Sequence, residues 1–195
     1  RFMNEYDLNQ YDAGVLTPEE HKGVEKAFRV YMDILDSHIQ SGHISNWLVS
    51  EITGALYCAL AIEDIERALR FVFGVGGSVD QFTYGMLNDG WWYECSVSYN
   101  TWVSSMYIHT ARALLPFGYN ILHTYFPVPF NDEVHSTYGG EKSEIRFGMY
   151  SKKWGGNLKN YVCIKDLFDA PIRFLDYRGV IVGINDSDEK KLRGV

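Results

Sequence analysis

The sequence has little cysteine and no long apolar run. Its three cysteines, Cys58, Cys95 and Cys163, form no CxxC pair and have no histidine at zinc-finger spacing. An odd number of cysteines far apart in sequence is a poor disulfide framework. No apolar segment approaches the roughly 20 residues that a membrane-spanning helix requires. We therefore expect free thiols, no metal site and no membrane span.

Positive charge is also scarce. The 195 residues include 18 Lys and Arg against 25 Asp and Glu, a formal net charge of −7. Proteins that bind nucleic acid by neutralising phosphates cluster basic residues on one face. No such face recurs along any helix predicted below, so this class of protein is excluded.

The catalytic motifs that are easiest to recognise are missing as well. The sequence has no phosphate-binding loop ending in Lys-Ser/Thr, no His-Glu-x-x-His and no Gly-x-Ser-x-Gly elbow. The N-terminus lacks the regions of a signal peptide. The chain begins without Met and stops in a charged, turn-rich stretch, which indicates a piece of a longer protein.

Apolar residues are plentiful, and most of them are spaced as in helices. Hydrophobic residues make up 46% of the chain, which is enough for a core. Thr17, Pro18 and Glu20 form a capping-box start for a helix that runs to about Ile39. A second helical segment is predicted from about residue 45 to the glycine-rich stop at 74–77, broken or bent near Gly54.

The rest of the chain is predicted to be less regular. We expect a short helical link at 79–86, a third long helix at about 96–115 and extended backbone at 126–130. A surface loop should follow at 136–160, then a helix at 164–175 that Pro171 kinks or starts, and a strand at 178–184. This order predicts a mainly α chain of stacked helical hairpins, one domain over residues 1–195.

Candidate functional side chains cluster where two of these helices begin. Residues 41–47 precede and open the second helix, and residues 89–100 precede and open the third. In a barrel of helical hairpins the inner helices run parallel, so their N-termini share one rim. Unpaired N–H groups and the helix dipole favour an anion there. Exposed aromatic rings such as Trp91 and Trp92 would suit the flat faces of sugars, although two adjacent tryptophans are at least as often one core and one surface residue.

The second of these segments has a recognisable pattern. Asp89-Gly90-x-x-Tyr93-Glu94-x-Ser96-x-x-Tyr99 resembles a signature of the heparinase II/III-like polysaccharide lyases, which include alginate and ulvan-type enzymes. In that family an Asn or Asn-His opens an inner helix some fifty residues upstream. Asn46 lies 53 positions before Tyr99 (99 − 46), and His43 lies 56 positions before it (99 − 43).

The resemblance implies both a fold and a location. The fold would be an incomplete (α/α) toroid, with the remaining hairpins and a β-sandwich domain outside this chain. The protein would be secreted or periplasmic. No cofactor is expected in this chain, and any structural metal would belong to the missing β-domain.

The resemblance also implies a reaction, which is β-elimination at a uronic acid of an anionic polysaccharide. Tyr99 would act as base, acid or both. Asn46 would neutralise the uronate carboxylate, and His43 would add a contact or act as the base. The residues expected to bind substrate are Trp47, Trp91, Trp92 and Glu94.

Two other functions fit the same residues. A glycoside hydrolase on a helical barrel would use Asp89 and Glu94 as its carboxylate pair. A glycan-binding helical module would have no activity. Glu94 also fits a structural role, as a carboxylate that ties down its loop.

Overall fold

A computed structural model describes residues 16–39, 44–87, 89–127, 161–185 and Ser187, together with the backbone of short strands at 136–138, 141–143 and 190–191. The described part is mainly helical, as predicted. Its α-helices are α1 (Pro18–Ile39), α2 (Asn46–Ala61), α3 (Ile65–Phe73), α4 (Ser78–Gly85), α5 (Val97–Leu114) and α6 (Lys165–Ile172). None of them is both long enough and apolar enough to cross a membrane.

The described strands are short and pair two by two, all antiparallel. Strand β1 (Tyr125–Pro127) pairs with β4 (Tyr161–Cys163), β2 (Ser136–Tyr138) with β3 (Glu141–Ser143), and β5 (Val180–Ile181) with β6 (Lys190–Lys191). Two 3₁₀ turns, Leu115–Phe117 and Ile121–His123, connect α5 to β1. The strand predicted at 178–184 is present but shorter, as β5. Of the extended segment predicted at 126–130, residues 126–127 lie in β1, and residues 128–130 lie outside the described residues.

Helix α1 begins and ends as the sequence predicts. The Thr17 hydroxyl accepts a hydrogen bond from the Glu20 backbone N–H at 3.3 Å, and the Glu20 carboxylate accepts one from the Thr17 N–H at 2.8 Å. This reciprocal pair is the capping box. One face of α1 is buried through Phe28, Met32, Leu35 and Ile39.

The predicted second helix is in fact two helices. Helix α2 ends at Ala61, Glu63 has a left-handed backbone with φ 57°, and the Asp64 carboxylate caps α3 by accepting from the Arg67 N–H at 3.1 Å. Apolar spacing continues across the break, so periodicity alone does not reveal it. Gly54 does not interrupt α2. The absence of a side chain there leaves room for the Tyr31 hydroxyl, which would lie 3.2 Å from a Cβ.

Ion pairs fix the direction of α1 relative to α3. Arg67 contacts Asp33 at 2.5 Å and Asp36 at 2.7 Å, Arg70 contacts Asp36 at 2.5 Å, and Arg29 approaches Asp64 at 4.0 Å. Residue numbers rise together along both helices, so α1 and α3 run parallel. Helix α2, joined to α3 by residues 62–64, runs the opposite way as in a helical hairpin.

Hydrogen bonds at two levels show that α2 and α5 also run parallel. The Trp102 Nε1–H donates to the Ser50 hydroxyl at 2.5 Å, and the Tyr57 hydroxyl donates to the His109 carbonyl at 3.2 Å. The Thr53 and Thr110 hydroxyls, 3.3 Å apart, add a third contact between the two helices. The N-termini of α2 and α5 therefore lie at the same end, and we call this end the mouth.

The core lies behind these two helices. Phe82 of α4 packs edge to face against Tyr107 of α5, with ring centroids 5.4 Å apart, and both side chains are fully buried. The Trp92 ring lies against Gly85, the last residue of α4, where any side chain would collide with it. Core packing therefore fixes the segment that leads into α5.

The last helix differs from its prediction. Pro171 neither starts α6 nor breaks it, because it lies in the last turn, after most of the helix has formed. In the predicted loop at 136–160, the described residues form the β2–β3 hairpin. The rest of that loop lies outside the described residues.

Candidate functional site

Asn46 is the first residue of α2, and Ser45 is its N-cap. The Ser45 hydroxyl accepts a hydrogen bond from the Leu48 backbone N–H at 3.1 Å. The Ser45 backbone N–H donates to the Gln81 Oε1 at 3.2 Å. Asn46 is therefore not needed as the cap. It is only 7% exposed, and its backbone N–H donates to the Glu94 carboxylate. Its carboxamide is the group that the sequence assigns to a substrate carboxylate, and that role stays a prediction.

Tyr99 lies in the first turn of α5, which Ser96 caps by accepting from the Tyr99 N–H at 3.4 Å. Its ring is half-buried against the core. Asn46 precedes Ser50 by four residues and Tyr99 precedes Trp102 by three, spacings that keep each pair on one helix face. Since Ser50 and Trp102 are hydrogen-bonded, Asn46 and Tyr99 both lie about one turn nearer the mouth than that hydrogen bond.

Glu94 ties the loop before α5 to the start of α2. Its carboxylate accepts from the Trp92 Nε1–H at 2.6 Å and from the backbone N–H of Asn46. Burial raises the pKa of the Glu94 carboxyl, and these two hydrogen bonds oppose the rise. A carboxylate at a helix N-terminus is also favoured by the helix dipole. The contacts match the structural role considered for Glu94 and leave its binding role a prediction.

The backbone between Glu94 and Ser96 is strained. Cys95 has a left-handed conformation with φ 53°, which a non-glycine residue rarely adopts. The Asn185 side chain holds this turn by donating to the Cys95 carbonyl at 2.8 Å. Strain of this kind concentrates at functional sites, where the surrounding structure maintains it.

The prediction that Trp91 and Trp92 present open ring faces is wrong. Trp92 is 0% exposed and Trp91 is 6% exposed. Trp91 packs edge to face against Phe174, with ring centroids 5.3 Å apart. Both rings are core residues because α4, α6 and the following turns cover them.

Two other tryptophans are exposed beside the mouth. Trp47, in the first turn of α2, is 72% exposed, as a substrate-binding residue requires. Trp102 is 53% exposed, and its hydrogen bond to Ser50 orients the ring. Sequence reasoning missed Trp102 because it lies inside a helix and belongs to no motif.

The other predicted residues have different outcomes. His43 lies outside the described residues. Asp89 shapes a turn, since its carboxylate accepts from the Trp91 N–H at 3.2 Å. The next residue, Gly90, has φ 92° and packs against the Asp166 carbonyl, which leaves no space for a side chain.

Asn100 is a fully buried structural residue that the sequence did not single out. Its Oδ1 accepts from the Trp92 N–H at 2.9 Å, and its Nδ2 donates to the Leu167 carbonyl at 2.9 Å. One side chain thus connects α5, the loop before it and α6. In the described portion of the chain, no three His, Cys, Asp or Glu side chains are grouped to hold a metal ion.

A cavity of about 810 Å³ lies at the opposite end of α2 and α5. Its walls are mostly apolar, and its polar lining comes from Tyr57, Glu63, His109 and Arg112. The cavity therefore does not coincide with the predicted catalytic residues. It opens along the same pair of parallel helices, at their C-terminal ends.

Comparison with protein-family models, with curated proteins and with solved structures gave no match for this chain. The residues of the mouth and their contacts are therefore the features that indicate a function.

Proposed function

We propose that this chain forms part of a polysaccharide lyase that cleaves a uronate-containing polysaccharide by β-elimination. The observation that carries the proposal is that Asn46 and Tyr99 lie in the first turns of α2 and α5, two parallel helices joined by hydrogen bonds. Such a position suits a group that binds and neutralises a substrate carboxylate.

The reaction explains why both residues are needed. A base removes the proton on C5 of the uronate, the C4–O4 glycosidic bond breaks, and a C4=C5 double bond forms while O4 gains a proton. The C5 proton is barely acidic until the adjacent carboxylate is neutralised and the developing negative charge is stabilised. In the proposed reaction the Asn46 carboxamide supplies that stabilisation. The Tyr99 hydroxyl transfers the proton at C5, at O4 or at both.

The directions of the helices support a toroid. Helices α1 and α3 run one way, and α2 and α5 run the other, with α2 and α5 neighbouring and parallel. This alternation is what a ring of helical hairpins requires of its outer and inner helices. The remaining hairpins and a β-sandwich would belong to other parts of a longer protein that acts outside the cytoplasm.

The carboxylate contacts favour elimination over hydrolysis. A glycoside hydrolase needs two carboxyl groups facing the scissile bond. Asp89 accepts a backbone hydrogen bond within its own turn, and Glu94 accepts from Trp92 and Asn46. Both candidates are thus engaged in holding the loop.

The test is a substitution that removes only the Tyr99 hydroxyl. In the full-length enzyme, Tyr99→Phe should lower the rate by about 10² to 10⁴, because proton transfer is lost. Unfolding should change by only about 1 kcal/mol, the value of one hydrogen bond. The rate is measured as ultraviolet absorbance of the unsaturated uronate, with heparan, chondroitin-type, alginate and ulvan polymers.

Two further variants complete this test. Asn46→Ala should lower turnover by about 10²-fold, the usual cost of losing a charge-stabilising donor, while the helix keeps its Ser45 cap. Tyr177→Phe, at a ring that is 97% exposed, is the matched control and should change nothing. If Tyr99→Phe retains more than about a tenth of the parental rate, Tyr99 does not transfer the proton. If no polymer yields an unsaturated product but one binds, the chain is a glycan-binding module.

A further inference from the structure

We propose that the cavity of about 810 Å³ at the C-terminal ends of α2 and α5 binds a small amphipathic anion, an organic molecule with an apolar body and one carboxylate or sulfonate group. Arg112 binds the anionic group, and the apolar wall of the cavity holds the body. At 1.5 Å per residue, Arg112 lies about 20 Å along α5 from Tyr99. The site is thus separate from the mouth and independent of the proposed function.

The size and the wall of the cavity suit a small molecule. Four parts of the chain line it: the ends of α2 and α5, the start of α3 and the 3₁₀ turn that follows α5. Its apolar wall is formed by Leu60, Ala61, Ile65, Ala113, Pro116 and Phe117. Small-molecule sites in proteins measure about 300–1,000 Å³ and combine mostly apolar walls with a few polar groups. This cavity has both properties.

The apolar wall retains surface that a ligand could cover. Phe117 is 42% exposed, and Leu60, Ile65 and Ala113 are only half-buried. Removing apolar surface from water is favourable, so an apolar body placed against these side chains is stabilised there. This contribution does not depend on the charge of the ligand.

Tyr57 and His109 join the two helices beside the cavity without adding charge to it. The Tyr57 hydroxyl donates to the His109 carbonyl at 3.2 Å, and the two rings lie edge to face with centroids 6.5 Å apart. Burial and the nearby Arg112 lower the pKa of His109, so its imidazole is neutral at neutral pH. The ends of α2 and α5 are therefore held together before any ligand binds.

Arg112 supplies the positive charge of the lining. Its side chain lies one turn after His109 on α5, is exposed and lines the cavity. A guanidinium can donate two parallel hydrogen bonds to a carboxylate or sulfonate. The apolar wall beside it lowers the local dielectric constant, which strengthens the attraction between opposite charges. Glu63, the acidic residue of the lining, lies on a different element, the link between α2 and α3.

The test compares two fluorescent probes with the same apolar body. The first, 8-anilinonaphthalene-1-sulfonate, carries a sulfonate, and the second, N-phenyl-1-naphthylamine, is neutral. Each probe is titrated into the full-length protein, and its fluorescence gives a Kd. Arg112→Gln should weaken binding of the sulfonate probe about tenfold and change binding of the neutral probe less than about twofold. Glu63→Gln should strengthen binding of the sulfonate probe, because an opposing charge is removed.

Two further variants test whether the probes bind in the cavity itself. Ala113→Trp places a large ring where the half-buried Ala113 lines the wall, and it should weaken both probes at least about tenfold. Phe117→Ala removes an exposed part of the wall without disturbing a buried side chain, and it should weaken both probes to a similar extent. Decanoate or 2-naphthoate, each an apolar body with one carboxylate, should displace the sulfonate probe from the parental protein.

Matched controls separate the cavity from general effects of charge or exposed rings. Arg173→Gln makes the same charge change at an exposed position outside the cavity, and Tyr177→Ala removes a ring that is 97% exposed. Neither variant should alter the Kd of either probe. Thermal unfolding of each variant shows whether its fold is intact, and if Ala113→Trp does not fold, Phe117→Ala decides.

Several results would overturn the proposal. If neither probe binds the full-length protein, the cavity is not a ligand site. If Arg112→Gln weakens both probes equally or weakens neither, Arg112 does not bind the anionic group. If the folded Ala113→Trp and Phe117→Ala variants bind as the parent does, the probes bind elsewhere. If neither carboxylate displaces the sulfonate probe, the site does not accept this class of ligand.

Discussion

Replacing Glu94 tests whether its carboxylate holds the mouth together or takes part in chemistry. Glu94→Ala removes the acceptor for the Trp92 Nε1–H and for the Asn46 N–H. Trp92 is 0% exposed, so its indole N–H has no ready access to water. A buried donor left without a partner costs about 1 to 3 kcal/mol. With two donors affected, we expect a loss of about 3 kcal/mol in the free energy of unfolding.

Glu94→Gln should be much milder, because the amide oxygen still accepts a hydrogen bond. A loss of about 1 kcal/mol at acidic pH is expected. Both variants are measured by urea unfolding followed by tryptophan fluorescence. Glu66→Ala, at an exposed position in the first turn of α3, is the control and should lower stability by less than about 1 kcal/mol.

The pH dependence of the free energy of unfolding is a second test of the structural role of Glu94. Burial raises the pKa of Glu94 in the folded state, so the folded protein binds this proton more tightly than the unfolded chain does. The ionised carboxylate therefore costs stability above the folded pKa, and this cost disappears as the pH falls below the unfolded pKa. The stability of Glu94→Gln relative to the parent should accordingly improve from acidic to neutral pH.

One result would refute this interpretation. If both Glu94 variants unfold like the parent at every pH but lose all activity on polysaccharide, the carboxylate acts on the substrate. The hydrolase alternative would then regain its candidate acid.

Three further predictions concern buried residues of the described structure. Gly85→Ala should lower stability by about 2 kcal/mol despite the better helix propensity of alanine, because its Cβ collides with the Trp92 ring; equal stability in thermal unfolding would contradict the packing described. Asn100→Ala should cost about 3 kcal/mol in urea unfolding, since the Trp92 N–H and the Leu167 carbonyl lose their partner; a loss below about 1 kcal/mol would show that neither group depends on it. Burial raises the pKa of Cys58 to about 12, so at pH 8 only about 10⁻⁴ of this thiol is ionised. Alkylation followed by mass spectrometry should find it unmodified until the protein unfolds, and rapid modification of the folded protein would contradict its burial.

The helix boundaries could be predicted where local chemistry sets them. The capping box at Thr17 and Glu20 and the Ser96 cap depend on residues within one turn, so α1 and α5 begin within a residue of the predicted positions. The break after α2 could not be predicted. It depends on the left-handed backbone of Glu63, and the apolar spacing gives no sign of it.

The candidate site was predictable in part for the same reason. Helix starts place Asn46 and Tyr99 at the heads of α2 and α5, and the spacing of the motif drew attention to both. Burial was not predictable, because whether Trp92 faces solvent or Gly85 depends on how α4 packs against it. Asn100 was missed since its partner, the Leu167 carbonyl, is 67 residues away.

The parallel arrangement of α2 and α5 has a consequence for the order of folding. Helices α2 and α3 are separated only by residues 62–64 and can associate locally. Joining the starts of α2 and α5 closes a loop of about 50 residues, which costs about 3.5 kcal/mol of chain entropy before contacts between the two helices compensate. The mouth should therefore assemble late, after the local hairpin. A ligand that contacts both α2 and α5 would then slow unfolding, because it would hold together the two helix starts whose association forms last.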